Sequence, residues 1–161
     1  MHAIQFNGDE VFTMAEQIER NGARFYRAAA TNNPRAKDLL LHLAEMEDSH
    51  LAAFEQMHKD FSVGEAETGA FDPEGEAAAY LSSLADAEVF DVGKDPLATL
   101  TGRESDLEII RIAIGLEKDS IAYYVGMREL ALGQADKERI DLIIKEEMQH
   151  VTLLRAPASG R

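Results

Sequence analysis

Apolar residues recur at steps of three and four along four stretches of this chain, the spacing that gathers them on one face of a helix. The first predicted helix covers about Asp9 to Thr31, with Phe12, Ala15, Glu19, Gly22, Tyr26 and Ala29 on its stripe. Asn33-Pro34 reads as an N-cap followed by proline at the first helical position, opening a second helix over 34–61. Its stripe is Leu39, Leu43, Glu47, His50, Phe54, Met57 and Phe61. A third helix, 105–132, begins where Ser105 and Glu108 have capping-box spacing, and Gly133 is its expected stop. It aligns Ile110, Ala113, Glu117, Ser120, Tyr124, Met127 and Ala131. The fourth, 136–155, aligns Ile140, Ile143, Glu147, His150 and Leu154 and ends before Pro157.

The links from first to second and from third to fourth helix are short, so each pair is expected to fold as an antiparallel hairpin. The stretch 62–104 is rich in glycine and acid, and is long enough to cross a bundle from end to end. Within it a short helix is expected near Glu76 to Asp86, with Tyr80, Leu81 and Leu84 capping the bundle. The hairpins also read as copies. Ile18-Glu19-Arg20-Asn21-Gly22-Ala23-Arg24-Phe25-Tyr26 aligns with Leu116-Glu117-Lys118-Asp119-Ser120-Ile121-Ala122-Tyr123-Tyr124, and Glu45-Met46-Glu47-Asp48-Ser49-His50 with Lys145-Glu146-Glu147-Met148-Gln149-His150. The expected architecture is one all-α domain over 1–161, a four-helix bundle of two duplicated hairpins joined by a long crossover.

The apolar stripes carry six residues that do not belong in a hydrophobic core: Glu19, Glu47, His50, Glu117, Glu147 and His150. Residues three apart share a helix face, so a Glu oxygen and a His nitrogen in Glu-x-x-His can reach one metal or two adjacent ones. Carboxylates can bridge two cations and imidazole supplies a neutral terminal ligand. Spacing alone is weak evidence, because Glu55 and His58 have it too. That pair lies roughly 80° off the stripe and has no counterpart in the second copy, where position 158 is Ala, so it is expected to be exposed. Phase and duplication single out the six. An unpaired carboxylate on a core face is costly, which leaves metal coordination, pairing with arginine or a water-filled channel. For all six together, metal binding is the expected answer.

Tyr26 and Tyr124 stand seven residues after Glu19 and Glu117, two turns along the same face. Either they pack in the core with satisfied hydroxyls, or they hydrogen-bond the ligand carboxylates or act as redox-active phenols. Met46, Met57, Met127 and Met148 read as core filler, His42 as an exposed or half-buried helix residue, and His2 as part of a loose start.

The length, 161 residues, suits one domain with a sizeable core. A net charge of −14 makes nucleic acid and anionic membrane surfaces unfavourable partners. The chain has no cysteine, which excludes disulfides, thiolate zinc sites and cysteine-ligated iron centres. Neither a secretory signal nor a bilayer-length apolar run is visible, so a cytoplasmic location is expected.

The two Glu19–Tyr26 and Glu117–Tyr124 segments, with Leu43–His50 and Lys145–His150, resemble the rubrerythrin family of ferritin-like di-iron proteins, in a form without the rubredoxin domain. The resemblance spans the four helices and the crossover. It implies a ferritin-like bundle and a di-iron centre of two Fe per chain, with Mn or Zn also able to take this ligand set. Glu19, Glu47, His50, Glu117, Glu147 and His150 are the implied ligands, with Glu47 and Glu147 bridging. It further implies reaction of reduced iron with hydrogen peroxide or dioxygen, as peroxidase or ferroxidase, through the four glutamates and their metal pair. A separate electron donor and a homodimer are implied as partners. One departure is Ser120, which stands where the family carries an extra glutamate that takes part in a redox-linked iron shift. The other expectation is a non-catalytic iron-binding or sequestration protein.

Overall fold

Four long helices form where the apolar stripes place them. The computed structural model describes residues 8–64, 72, 74–85, 95–130 and 133–156. They form α1 (Gly8–Asn32), α2 (Lys37–Gly64), α3 (Glu76–Ala85), a short 3-10 turn (Pro96–Thr99), α4 (Asp106–Leu130) and α5 (Gln134–Arg155). Among the described residues there is no strand, and no helix is long and apolar enough to cross a membrane.

The helix ends follow local chemistry. Ser105 and Glu108 make the reciprocal capping box: the Glu108 N–H donates to Ser105 Oγ at 3.2 Å and the Ser105 N–H to Glu108 Oε2 at 2.7 Å. The expected cap at Asn33 is corrected. Asn33 is buried, and its side-chain amide donates to the Ala29 carbonyl at 2.8 Å, closing the end of α1. With that side chain committed backwards, 34–36 form a turn closed by the Ala36 N–H on the Asn33 carbonyl (3.1 Å), and α2 starts at Lys37 rather than Pro34. It then runs to Gly64, beyond the expected end at 61. Gly133, expected to stop the third helix, has extended backbone (φ −143°, ψ 162°) at the N-cap of α5, which begins at Gln134. Ala131, Leu132, Asp86, Pro157 and much of the expected crossover (65–71, 73, 86–94) lie outside the described residues.

Both hairpins are antiparallel. His58, late in α2, bonds Asp9 and Glu16 early in α1, and Arg128, late in α4, bonds Asp141 early in α5. Contacts of α1 with α4 and α2 with α5 join the hairpins. The short helix α3 packs on α4: Leu81 is fully buried, while Tyr80 stays 40% exposed and donates to the Ala122 carbonyl at 2.8 Å. Gly126 permits this approach, since a Cβ there would stand 2.5 Å from the Tyr80 ring and 2.8 Å from Leu81.

Among the described residues the interior has two apolar clusters. One gathers Val11, Phe12, Ala15 and Ile18 with Phe54, Met57, Leu81, Tyr123, Met127 and Ile140; the other gathers Phe25, Ala29, Leu40, Leu43, Ile109, Ala113 and Leu154. On every long helix the acidic and imidazole residues fall between the stretches that feed these clusters, so a polar layer crosses the bundle with apolar packing on either side. Met57 and Met127 are core filler as expected, but Met46 is half-buried and Met148 is 55% exposed, because it lies one step off the α5 stripe.

Candidate metal centre

Each long helix contributes to the polar layer: Glu19 from α1, Glu47 and His50 from α2, Glu117 from α4, Glu147 and His150 from α5. All six are at most 3% exposed. They form two groups, Glu19–Glu47–His50–Glu147 and Glu47–Glu117–Glu147–His150, whose candidate ligand atoms lie within 4.8 Å of one another. Glu47 and Glu147 belong to both. His50 Nδ1 lies 2.8 Å from Glu147 Oε1 and 3.6 Å from Glu19 Oε2. His150 Nδ1 is 3.3 Å from one oxygen each of Glu47, Glu117 and Glu147. The two imidazoles stack with centroids 5.6 Å apart and planes 20° apart. Both therefore turn the same nitrogen towards the shared carboxylates.

The donor set fits cations. Among the described residues, Glu19 Oε2, Glu47 Oε1, Glu117 Oε2, both Glu147 oxygens, His50 Nδ1 and both His150 nitrogens are buried without a hydrogen-bond partner. Close contact without hydrogen-bond geometry is what converging lone pairs produce, and native interiors rarely leave so many polar atoms unmatched. Electrostatics point the same way. Burial, reinforced by the neighbouring carboxylates, pushes Glu19 and Glu47 well above the carboxylate range and Glu117 up to about 9. For Glu147 burial acts in the same direction, but contacts with Glu117, His150 and His50 hold it below the usual range. Burial lowers His150, yet its contacts with Glu117, Glu147 and Glu47 raise it to about 12. Four carboxylates in one dry space cannot all ionise without positive charge beside them, supplied by protons or by metal.

Tyr26 donates to Glu117 Oε1 and Tyr124 to Glu19 Oε1, both buried. Burial and the surrounding carboxylates raise both phenols, which keeps them protonated and able to donate. Of the two alternatives for these tyrosines, the structure realises the bond to a carboxylate of the cluster, within a packed core. Gly22, on the α1 stripe, faces Glu47: a Cβ there would stand 2.6 Å from Glu47 Oε2. Ser120, at the matching place in α4, is buried and spends its hydroxyl on the Leu116 carbonyl at 3.0 Å.

Glu146 also meets the layer, although the apolar periodicity does not single it out. Its carboxylate, 35% exposed, lies 2.8 Å from His50 Nε2. It falls off the apolar stripe; only the mismatch with Met46 in the aligned copy could have flagged it. The expected exposure of Glu55 and His58 needs correction. His58 is 19% exposed, stacked on Phe12 and bonded at 2.7 Å to both Asp9 and Glu16, because α1 runs alongside it. Glu55 is half-buried and pairs with Arg20 at 3.0 Å. Neither joins the polar layer. His42 is exposed, and His2 lies outside the described residues.

No protein-family model and no curated protein matches the chain. Among solved structures, it is similar to a Thermotoga maritima protein whose crystal structure carries the name ferritin-like diiron-carboxylate protein. The two share 22% identity over 95% of each chain, with a TM-score of 0.67. At that identity the likeness establishes architecture: this chain has the ferritin-like helical bundle.

Proposed function

We propose that the protein is a non-haem di-iron oxidoreductase of rubrerythrin type, acting on hydrogen peroxide or dioxygen with electrons from a separate donor. The supporting observation is that the two ligand groups overlap at Glu47 and Glu147. Glu19 and His50 would help hold one metal ion and Glu117 and His150 the other, with Glu47 and Glu147 available to both. Four carboxylates match the charge of two ferrous ions, so the buried centre is close to neutral when loaded. A bound iron pair would supply the two electrons that reduce the oxidant.

The chain's own residues do the rest. Tyr26 and Tyr124 hold Glu117 and Glu19 by single donors, which orients those carboxylates while leaving their second oxygens buried and, among the described residues, without a hydrogen-bond partner. The flanking apolar clusters exclude bulk water and raise the strength of every charge interaction between them. Being buried, the two phenols and the carboxyls of Glu19, Glu47 and Glu117 can hold protons next to the reacting position.

Metal analysis of protein from iron-replete cells should give close to two metals per chain. Anaerobic ferrous loading followed by a peroxide or dioxygen pulse then tests turnover. Ferric absorption that forms and is bleached repeatedly by added reductant is the expected result. Uptake that occurs once and never recycles would instead identify a sequestration protein, and a metal-free protein indifferent to Glu47→Ala and Glu147→Ala would remove the metal reading altogether.

A further inference from the structure

The duplicated hairpins are not equivalent around their imidazoles. In the second hairpin Glu146 precedes the shared carboxylate Glu147, and its side chain reaches across to α2, where Oε2 meets His50 Nε2 at 2.8 Å. In the first hairpin the matching position, before Glu47, is Met46, whose thioether is neutral and only a weak acceptor. Among the described residues, His150 Nε2 is buried without a hydrogen-bond partner. A carboxylate accepts, and of the two ring nitrogens only Nε2 meets one with hydrogen-bond geometry, so a neutral, metal-ligating His50 would carry its proton on Nε2 and its lone pair on Nδ1. That nitrogen is the one 2.8 Å from Glu147 Oε1. At His150 no such bond to Nε2 is present among the described residues to fix the tautomer.

We infer that Glu146 is a positioning residue: it locks the His50 ring with Nδ1 aimed at Glu19, Glu47 and Glu147, and so makes the two metal positions unequal, with the His50 position filling first. This rests on the two-metal reading of the polar layer. A carboxylate behind a ligating imidazole fixes its orientation and raises its basicity, typically worth about 10- to 100-fold in metal affinity. The partially exposed Glu146 carboxylate remains hydrated on one side, so it fills this role without the full desolvation cost of a buried acid.

Cobalt(II) titration of the metal-stripped 161-residue chain, followed by d–d absorption and calorimetry, tests the inference. Wild type should bind two ions in two steps separated by about tenfold or more. Glu146→Met, which copies the first hairpin, should weaken the first step by about 10- to 100-fold and leave the second in place. Glu146→Gln, whose amide oxygen still accepts from Nε2–H, should restore most of the difference, and Met46→Glu should tighten the second step. In the zinc-loaded protein, the His50 Nε2–H resonance should be protected from exchange in wild type and Glu146→Gln and lost in Glu146→Met. Two equivalents bound by wild type with both steps unmoved by Glu146→Met and Met46→Glu would overturn the positioning role while leaving the two-metal centre intact. Failure of wild type to bind cobalt at all would instead overturn the two-metal reading, and this inference with it.

Discussion

The Tyr124 hydroxyl on α4 donates to Glu19 on α1, and Tyr26 on α1 returns the same bond to Glu117 on α4. Each tyrosine thus serves the glutamate of the other hairpin, not the one two turns before it on its own helix. The antiparallel register of α1 and α4 produces this crossing, since it sets 19 opposite 124 and 26 opposite 117. The two halves of the bundle are therefore tied together at the level of the polar layer itself, where a shift of one helix would break both bonds.

Removing one hydroxyl should act on one metal position more than the other. Tyr124→Phe strips the donor from Glu19, which belongs only to the His50 group; Tyr26→Phe does the same to Glu117 in the His150 group. Each substitution is expected to weaken its own step of a two-step metal titration by about tenfold and to lower the stability of the metal-free protein by about 1–3 kcal/mol in urea unfolding. Equal loss at both steps from either variant would show that the tyrosines act only through general packing.

Membership of the two ligand groups sets a stoichiometry rule. Glu47→Ala and Glu147→Ala each delete a residue common to both groups, and should reduce bound metal from two per chain towards none. Glu19→Ala and Glu117→Ala should each leave about one. Elemental analysis after loading and desalting reads the difference. If all four variants retain the same metal content, the division into two groups sharing a pair is wrong.

The six polar-layer residues were legible because helix phase is a local property: a residue either falls on a stripe of three-and-four steps or does not. Duplication then separated Glu47–His50 and Glu147–His150 from the decoy at Glu55 and His58. What escaped depends on how helices meet. His58 looks exposed on α2 alone, yet the start of α1 brings Asp9, Glu16 and Phe12 onto it. Glu146 looks like surface on α5, and only its approach to α2 gives it His50 as a partner. Asn33 has the composition of a cap, but the sequence does not say which of two adjacent helices its side chain will close.

Gly22 separates binding from folding. In an exposed or half-exposed helix interior, alanine is favoured over glycine by about 1 kcal/mol. Here a Cβ would stand 2.6 Å from Glu47 Oε2, so that carboxylate must swing away. Gly22→Ala is therefore expected to keep or raise the melting temperature of the metal-free protein while weakening metal binding at both positions, because Glu47 belongs to both groups. Unchanged affinity with unchanged stoichiometry would mean that Glu47 has room to move without leaving its ligand position.

A pH dependence should arise at the α1–α2 end of the bundle, away from the polar layer. Burial lowers the His58 pKa, but its bonds to Asp9 and Glu16 outweigh that and raise it above the ordinary 6.5. A folded-state pKa raised above the unfolded one means that the folded protein holds the proton more tightly. The resulting stabilisation is fully present below about pH 6.5, and it fades as pH rises through the higher folded value. Comparing wild type with His58→Gln isolates this contribution from the other titrating groups. The stability gap between the two should be wider at pH 6 than at pH 9, and should narrow in high salt because His58 retains contact with solvent. A gap that widens with pH would mean that His58 folds as the neutral imidazole, with stacking on Phe12 and not its two carboxylates holding α2 to the start of α1.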